Sequence, residues 1–214
     1  MVLHAIRGKE SLSDKAYKMI RLAIIRNELE AGEVLAEEKL AEMLGISRTP
    51  IRTALQMLAA DRLAENDARG RLIVGDVVAR DVRDVDLVRS EIEPISVRLN
   101  CEHGLTNAQI KELRSFCIAQ KHAAKERNTE DFFITGYSFH NNLAACSENI
   151  FLADMVARAS LTAVRYLMKS PNPEIYIDNS GEEHDEILEL IAERNTEKAV
   201  AKMRSHILDA KPTF

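Results

Sequence analysis

The chain has 214 residues, 46% hydrophobic and 29% charged, a balance that fits a folded globular protein and excludes a disordered or low-complexity one. A net charge of −5 argues against general coating of nucleic acid, but the imbalance is uneven: residues 1–75 carry 12 Lys and Arg against 11 Asp and Glu, residues 76–214 carry 17 against 23. No apolar run approaches the roughly 18 residues of a membrane helix. The start lacks the apolar stretch of a secretion signal, so a cytoplasmic protein without a membrane partner is expected. The three cysteines show no CxxC spacing, which excludes a disulfide frame or a zinc cluster built on thiolates. Glycine (8) and proline (5) are scarce, so the expected class is mainly α.

In chain order, residues 11–27 predict a helix capped by Ser11 or Ser13, with Ala16, Met19, Ile20, Ala23 and Ile24 on its apolar face. A turn at Glu30-Ala31-Gly32-Glu33 precedes a short helix from Glu37 to Leu44, which Gly45 ends as a C-cap. Ser47 begins the next helix, its hydroxyl placed to cap free amides and Pro50 tolerated in the first turn. Ile51, Leu55 and Leu58 fall on one buried face. Leu63-Ala64-Glu65 and Leu72-Ile73-Val74 are strand candidates around a turn from Asn66 to Gly70. Helix, helix, turn, helix and hairpin is the order of a winged helix-turn-helix over residues 1–75. A linker at 76–80 then leads to an all-helical bundle over 81–214, with helices at 81–103, 107–127, 130–146, 149–169, 174–194 and 196–210. Thr106 and Gln109 have the spacing of a capping box, and Pro171 and Pro173 break the chain.

Arg48 and Arg52 stand one turn apart, opposite the apolar face of the third helix, where guanidinium groups meet base edges or phosphates. Thr49 and Gln56 are polar neighbours on the same helix. Arg69-Gly70-Arg71 places two cations around a glycine at the hairpin tip, a form suited to a groove or a phosphate. Two arginines on an exposed helix face are more often merely solvated; the cap, the turn glycine, the apolar spacing and the hairpin together favour duplex DNA.

The segment Leu35-Ala36-Glu37-Glu38-Lys39-Leu40-Ala41-Glu42-Met43-Leu44-Gly45-Ile46-Ser47-Arg48-Thr49-Pro50-Ile51-Arg52-Thr53-Ala54-Leu55 resembles the signature of the GntR family of bacterial regulators. The family usually has Pro-Gly where this chain has Ala31-Gly32, and Arg-Glu-Ala-Leu where it has Arg52-Thr53-Ala54-Leu55. The resemblance implies DNA contacts at Arg48, Arg52 and Gly70. A further arginine used by the fatty-acid-responsive member falls on Glu38.

Residues 80–210 resemble the helical FCD effector domain of the FadR branch. The matching pieces are Arg89-Ser90-Glu91-Ile92-Glu93, Phe139-His140, Ser147-Glu148-Asn149, His184 and His206; six helices place the chain near the VanR-like subgroup. The resemblance implies a divalent metal, zinc or nickel, on His140, His184 and His206. The family's aspartate four residues before the first histidine is Gly136 here, which weakens the expectation of metal. Two readings stay open: a metal site that takes charge balance from an anionic effector, or histidines that only hydrogen-bond that effector. Arg89 is either a partner for an effector carboxylate or a surface ion-pair partner of Glu93. The implied protein is a homodimeric regulator that binds an inverted repeat in double-stranded DNA and answers to a small organic acid. The rival is an enzyme that activates water on the histidines, but no HExxH, GxSxG or phosphate-binding glycine loop occurs.

Overall fold

In the computed structural model, which describes residues 10–177 and 180–209, the chain divides into two compact units at residues 76 and 77. In the first unit, Ser11 opens helix α1 (Leu12–Ile25) by a capping box in which its hydroxyl accepts from the Asp14 amide and Asp14 accepts from Ser11. The buried face is Ala16, Ile20, Ile24 and Ile25; Met19, expected on that face, is 58% exposed. Helix α2 (Glu37–Leu44) ends at Gly45, whose φ of 64° is the left-handed conformation that a Cβ disfavours. Helix α3 (Arg48–Ala60) buries Ile51, Ala54, Leu55 and Leu58 and packs on α1.

Strands β1 (Ala64–Asn66) and β2 (Leu72–Val74) pair antiparallel, Ala64 opposite Val74 and Asn66 opposite Leu72. The first strand is shifted by one residue from the expected Leu63–Glu65, and Leu63 is buried instead as the turn out of α3. The segment at 32–35 borders the other side of β2: the Gly32 and Leu35 amides donate to the Val74 and Leu72 carbonyls, and Val34 bridges Ile73. Three chain segments thus hold a wing whose paired strands are three residues long, too short to leave a long unpaired edge.

The second unit is helical: α4 (Ala79–His103), α5 (Asn107–Glu126), α6 (Thr129–Cys146), α7 (Ile150–Met168), α8 (Ser180–Ala192) and α9 (Thr196–Asp209). Residues 76–80 are only partly a linker, since Val77 is buried and Ala79 and Arg80 already belong to α4. The helix expected at 174–194 begins at Ser180; Pro173–Tyr176 forms a single 3-10 turn. Pro173 suits a first helical turn, but Ile177 leaves that turn with extended backbone, φ −74° and ψ 110°. The Thr106–Gln109 capping box forms as expected. Pro94, inside α4, lacks the amide that would bond the Ser90 carbonyl; the Arg204 guanidinium of α9 donates to that carbonyl at 3.3 Å instead. The core gathers Val97, Leu113, Phe139, Leu143, Leu188 and Met203 from five helices, all at most 1% exposed.

Candidate nucleic-acid interface and metal centre

The first unit presents Arg48, Thr49, Arg52 and Gln56 on the solvent side of α3, away from Ile51, Leu55 and Leu58. Ser47 is the N-cap residue, but its hydroxyl makes no capping bond. The third helical residue is Pro50, so the amide that a serine cap ordinarily bonds does not exist. Neither guanidinium is loose. Arg52 donates from Nε and Nη2 to the two carboxylate oxygens of Glu37, both at 2.8 Å, and Arg48 donates to Glu38 at 2.8 Å. The bond from Arg52 holds the Glu37 carboxyl below the usual range. The side chains of Arg48 and Arg52 remain 56% and 61% exposed, so a duplex can still reach them.

At the wing tip, Gly70 has φ 76° and closes the turn between β1 and β2. The Asp67 carboxylate accepts from the amides of Arg69 and Arg71 and from the Arg71 guanidinium, at 2.8–2.9 Å. Arg71 is therefore anchored, whereas the Arg69 guanidinium has no partner among the described residues.

In the second unit, helices α6, α8 and α9 each bring one histidine to a common point. The Nε2 atoms of His140, His184 and His206 lie 2.9, 3.1 and 3.3 Å apart, and all three residues are buried. Each ring is fixed from behind at Nδ1: His140 by Glu93 of α4 at 2.5 Å, His184 by Gln120 of α5 at 2.7 Å, and His206 by Glu183 of α8 at 2.8 Å. Phe139 stacks on His184 with ring centres 4.2 Å apart. An ionised carboxylate only accepts, so Nδ1 of His140 and of His206 carries the proton and Nε2 presents a lone pair. Burial pushes the His140 and His184 pKa values down, which favours the neutral rings. Three lone pairs converging within 3.3 Å repel one another unless something positive lies among them. Nδ1 held by an outer acceptor and Nε2 turned inward is the arrangement of histidine ligands on a metal, so the donor set fits a divalent cation.

Arg89 lies at 9% exposure and pairs with Glu93 at 2.7 Å and Asp86 at 3.2 Å. Its pair with Glu93 is therefore buried rather than on the surface. Burial alone would raise the Glu93 carboxyl, yet the Arg89 charge and the His140 ring outweigh it and bring it to about 2. Arg89 also lines a cavity of about 300 Å³, together with the three histidines, Gln120, Ser160 and an apolar wall that includes Phe132, Phe133 and Val164.

Gly136 lines the same cavity. A Cβ built there would stand 2.7 Å from Gln120 Nε2, so glycine at 136 makes room for the carboxamide that holds His184. This supplies the packing reason for a helix-interior glycine, which costs about 1 kcal/mol relative to alanine.

All three histidines of the sequence reading meet, and Arg89 borders their cavity. Glu93 was read from its helical spacing as a surface partner of Arg89, not as the acceptor behind His140. Gln120, Glu183 and the Glu37–Arg52 and Glu38–Arg48 pairs were not singled out. Gln120 carried no sequence signal.

The family description "FCD domain" matches residues 84–209, and "Bacterial regulatory proteins, gntR family" matches residues 12–74. The chain is 29% identical over 196 residues to an HTH-type transcriptional regulator in an unstable DNA locus of Streptomyces ambofaciens, covering 89% of this chain and 80% of that protein. It is 24% identical to a probable D-xylose utilization operon transcriptional repressor of Paenarthrobacter nicotinovorans, covering 93% and 87%. Among solved structures, McbR/YncC of E. coli superposes with a TM-score of 0.79 at 21% identity, over 94% of this chain and 95% of that one.

Proposed function

The chain belongs to the GntR family and carries an FCD domain, and from that premise we propose that it is a ligand-responsive regulator whose histidine cavity takes a divalent cation together with a small organic acid. It is a DNA-binding transcriptional regulator by family, and its relatives are regulators rather than enzymes. The observation that carries the ligand reading is the convergence of three Nε2 atoms on a cavity of about 300 Å³, each ring clamped from behind. That volume is at the lower end for small-molecule sites.

His140, His184 and His206 would hold the cation, zinc or nickel being suited to imidazole donors. The cation supplies the positive charge that draws a carboxylate. The chain's own outer carboxylates do not supply the balancing charge, because Glu93 faces Arg89 and Glu183 faces Lys202 at 3.4 Å. Arg89 adds a second cationic edge for the acid. The apolar wall excludes water and accommodates a hydrocarbon body.

On the first unit, Arg48, Thr49, Arg52 and Gln56 are assigned to base edges and nearby phosphates, and Arg69, Gly70 and Arg71 to the adjoining groove or backbone. The protein works in the cytoplasm as a homodimer on an inverted repeat. Exposed Leu87, Val88 and Ile95 on α4 and Ile150, Phe151 and Met155 on α7, two helices packed together, support a second copy as the occupant of that face.

The test is metal analysis of the purified protein before and after chelation, with a thermal-shift screen of carboxylic acids on both forms and a mobility shift on its upstream DNA. Stoichiometric metal, acid-dependent stabilisation lost on chelation, and DNA release by the same acid are expected. Chelated protein that still binds the acid would replace the metal with direct hydrogen bonding by the histidines.

A further inference from the structure

The environment of Gln120 has two sides. Its Oε1 faces Nδ1 of His184 at 2.7 Å, and its Nε2 has no hydrogen-bond partner among the described residues, although the side chain is 3% exposed and lines the histidine cavity. The amide orientation follows from chemistry. If Nε2 of His184 points its lone pair at the other two rings, Nδ1 carries the hydrogen, and Gln120 must offer oxygen to it. The NH2 group then turns to the cavity, in the space where a side chain at 136 would stand. On the wall of the same cavity, the Ser160 hydroxyl of α7 is buried without a partner. A buried donor left unpaired costs about 1–3 kcal/mol, so the Ser160 hydroxyl calls for a ligand that satisfies it, and the Gln120 amide faces the same cavity.

From this placement we infer that Gln120 is the residue that selects the cavity's ligand: its amide N–H groups stand where a side chain at 136 would otherwise reach the histidines, and they donate to an oxygen of a bound carboxylate. The inference rests on the cation-site reading above and adds a sign to it. A carboxylate on this wall would bind the cation itself and repel an anionic ligand. A carboxamide leaves the cation's charge free and adds a donor for the ligand. Ser160 gives the cavity wall a hydroxyl, so a ligand with a second oxygen is favoured over a plain hydrocarbon acid.

The decisive variant is Gln120→Glu, nearly isosteric and still an acceptor for His184, so that ring orientation is kept while the donor becomes a negative acceptor. In the full-length chain loaded with cobalt(II), acetate is titrated by the change in visible absorption, and zinc affinity is measured separately by competition with a chelator. Relative to the parent chain, Gln120→Glu is expected to weaken acetate about tenfold or more, since a hydrogen bond to a charged group is lost. The same variant is expected to bind zinc about tenfold or more tightly, as an added carboxylate does. Gly136→Ala, which leaves Gln120 in the sequence but displaces its amide, is expected to weaken acetate as well, and it decides the matter if Gln120→Glu fails to fold. Unchanged acetate and zinc affinity in Gln120→Glu would reduce Gln120 to a support for His184 and overturn the inference. A parent chain that takes cobalt but not acetate would overturn it alone. Failure to take cobalt at all would overturn the cation reading and this inference with it.

Discussion

Arg52–Glu37 in the first unit and Arg89–Glu93 in the second are the same chemical pair at nearly the same distance, 2.8 and 2.7 Å. They differ in their access to water. The Arg52 and Glu37 side chains are 61% and 27% exposed, whereas those of Arg89 and Glu93 are 11% and 2% exposed. An exposed pair is weak and screened, so a phosphate or a guanine edge can take the arginine from the glutamate. A buried pair is held by the absence of any alternative partner, and here it also orients a histidine. The fold uses one kind of contact as an exchangeable holder and the other as a fixed brace.

The comparison is broken most directly at the brace. Glu93→Ala leaves Arg89 and the His140 Nδ1 without their shared acceptor, and is expected to destabilise the second unit by about 3–5 kcal/mol, with loss of metal uptake. A denaturation curve checks this, and a change below about 1 kcal/mol would place the pair with surface contacts. Arg52→Ala is expected to lose about 1–3 kcal/mol of specific DNA binding while the melting temperature and effector response stay in place. Equal loss of both would mean that α3 does not read DNA. Glu38→Gln removes a negative charge and weakens the hold on Arg48, which keeps Glu37 at 3.8 Å, so DNA affinity should rise about two- to fivefold; a fall in a mobility-shift titration would show that the Glu38 charge positions Arg48 for DNA. Smallest is Arg69→Ala, expected to lower the slope of log affinity against log salt by about one, as one phosphate contact is lost.

The first unit was the more legible in sequence because its determinants are local. Gly45 marks a left-handed turn, and Arg48 and Arg52 face away from Ile51 and Leu58 by helical periodicity alone. Even there Pro50 misled: it suits a first turn, and it also removes the amide that Ser47 would have capped. In the second unit each histidine lay visibly on a helix, but His140, His184 and His206 are separated by 44 and 22 residues, and only the packing of α6, α8 and α9 brings them together. Their joint role came from resemblance to a family. Gln120 had no pattern to mark it, since its meaning depends on the absence of a Cβ at position 136. The start of α8 was misjudged because Pro173 suits a first helical turn, whereas Ile177 leaves the 3-10 turn with extended backbone and α8 begins at Ser180.

The volume shared by Gln120 and Gly136 also constrains how this chain can diverge. A methyl group at 136 would press on the Gln120 amide nitrogen, 2.7 Å away, so that carboxamide must shift or residue 120 must shorten. The two positions are therefore coupled through one small volume, and a change at either alters what the other can hold. A homologue carrying a larger residue at the one site is expected to carry a smaller one at the other.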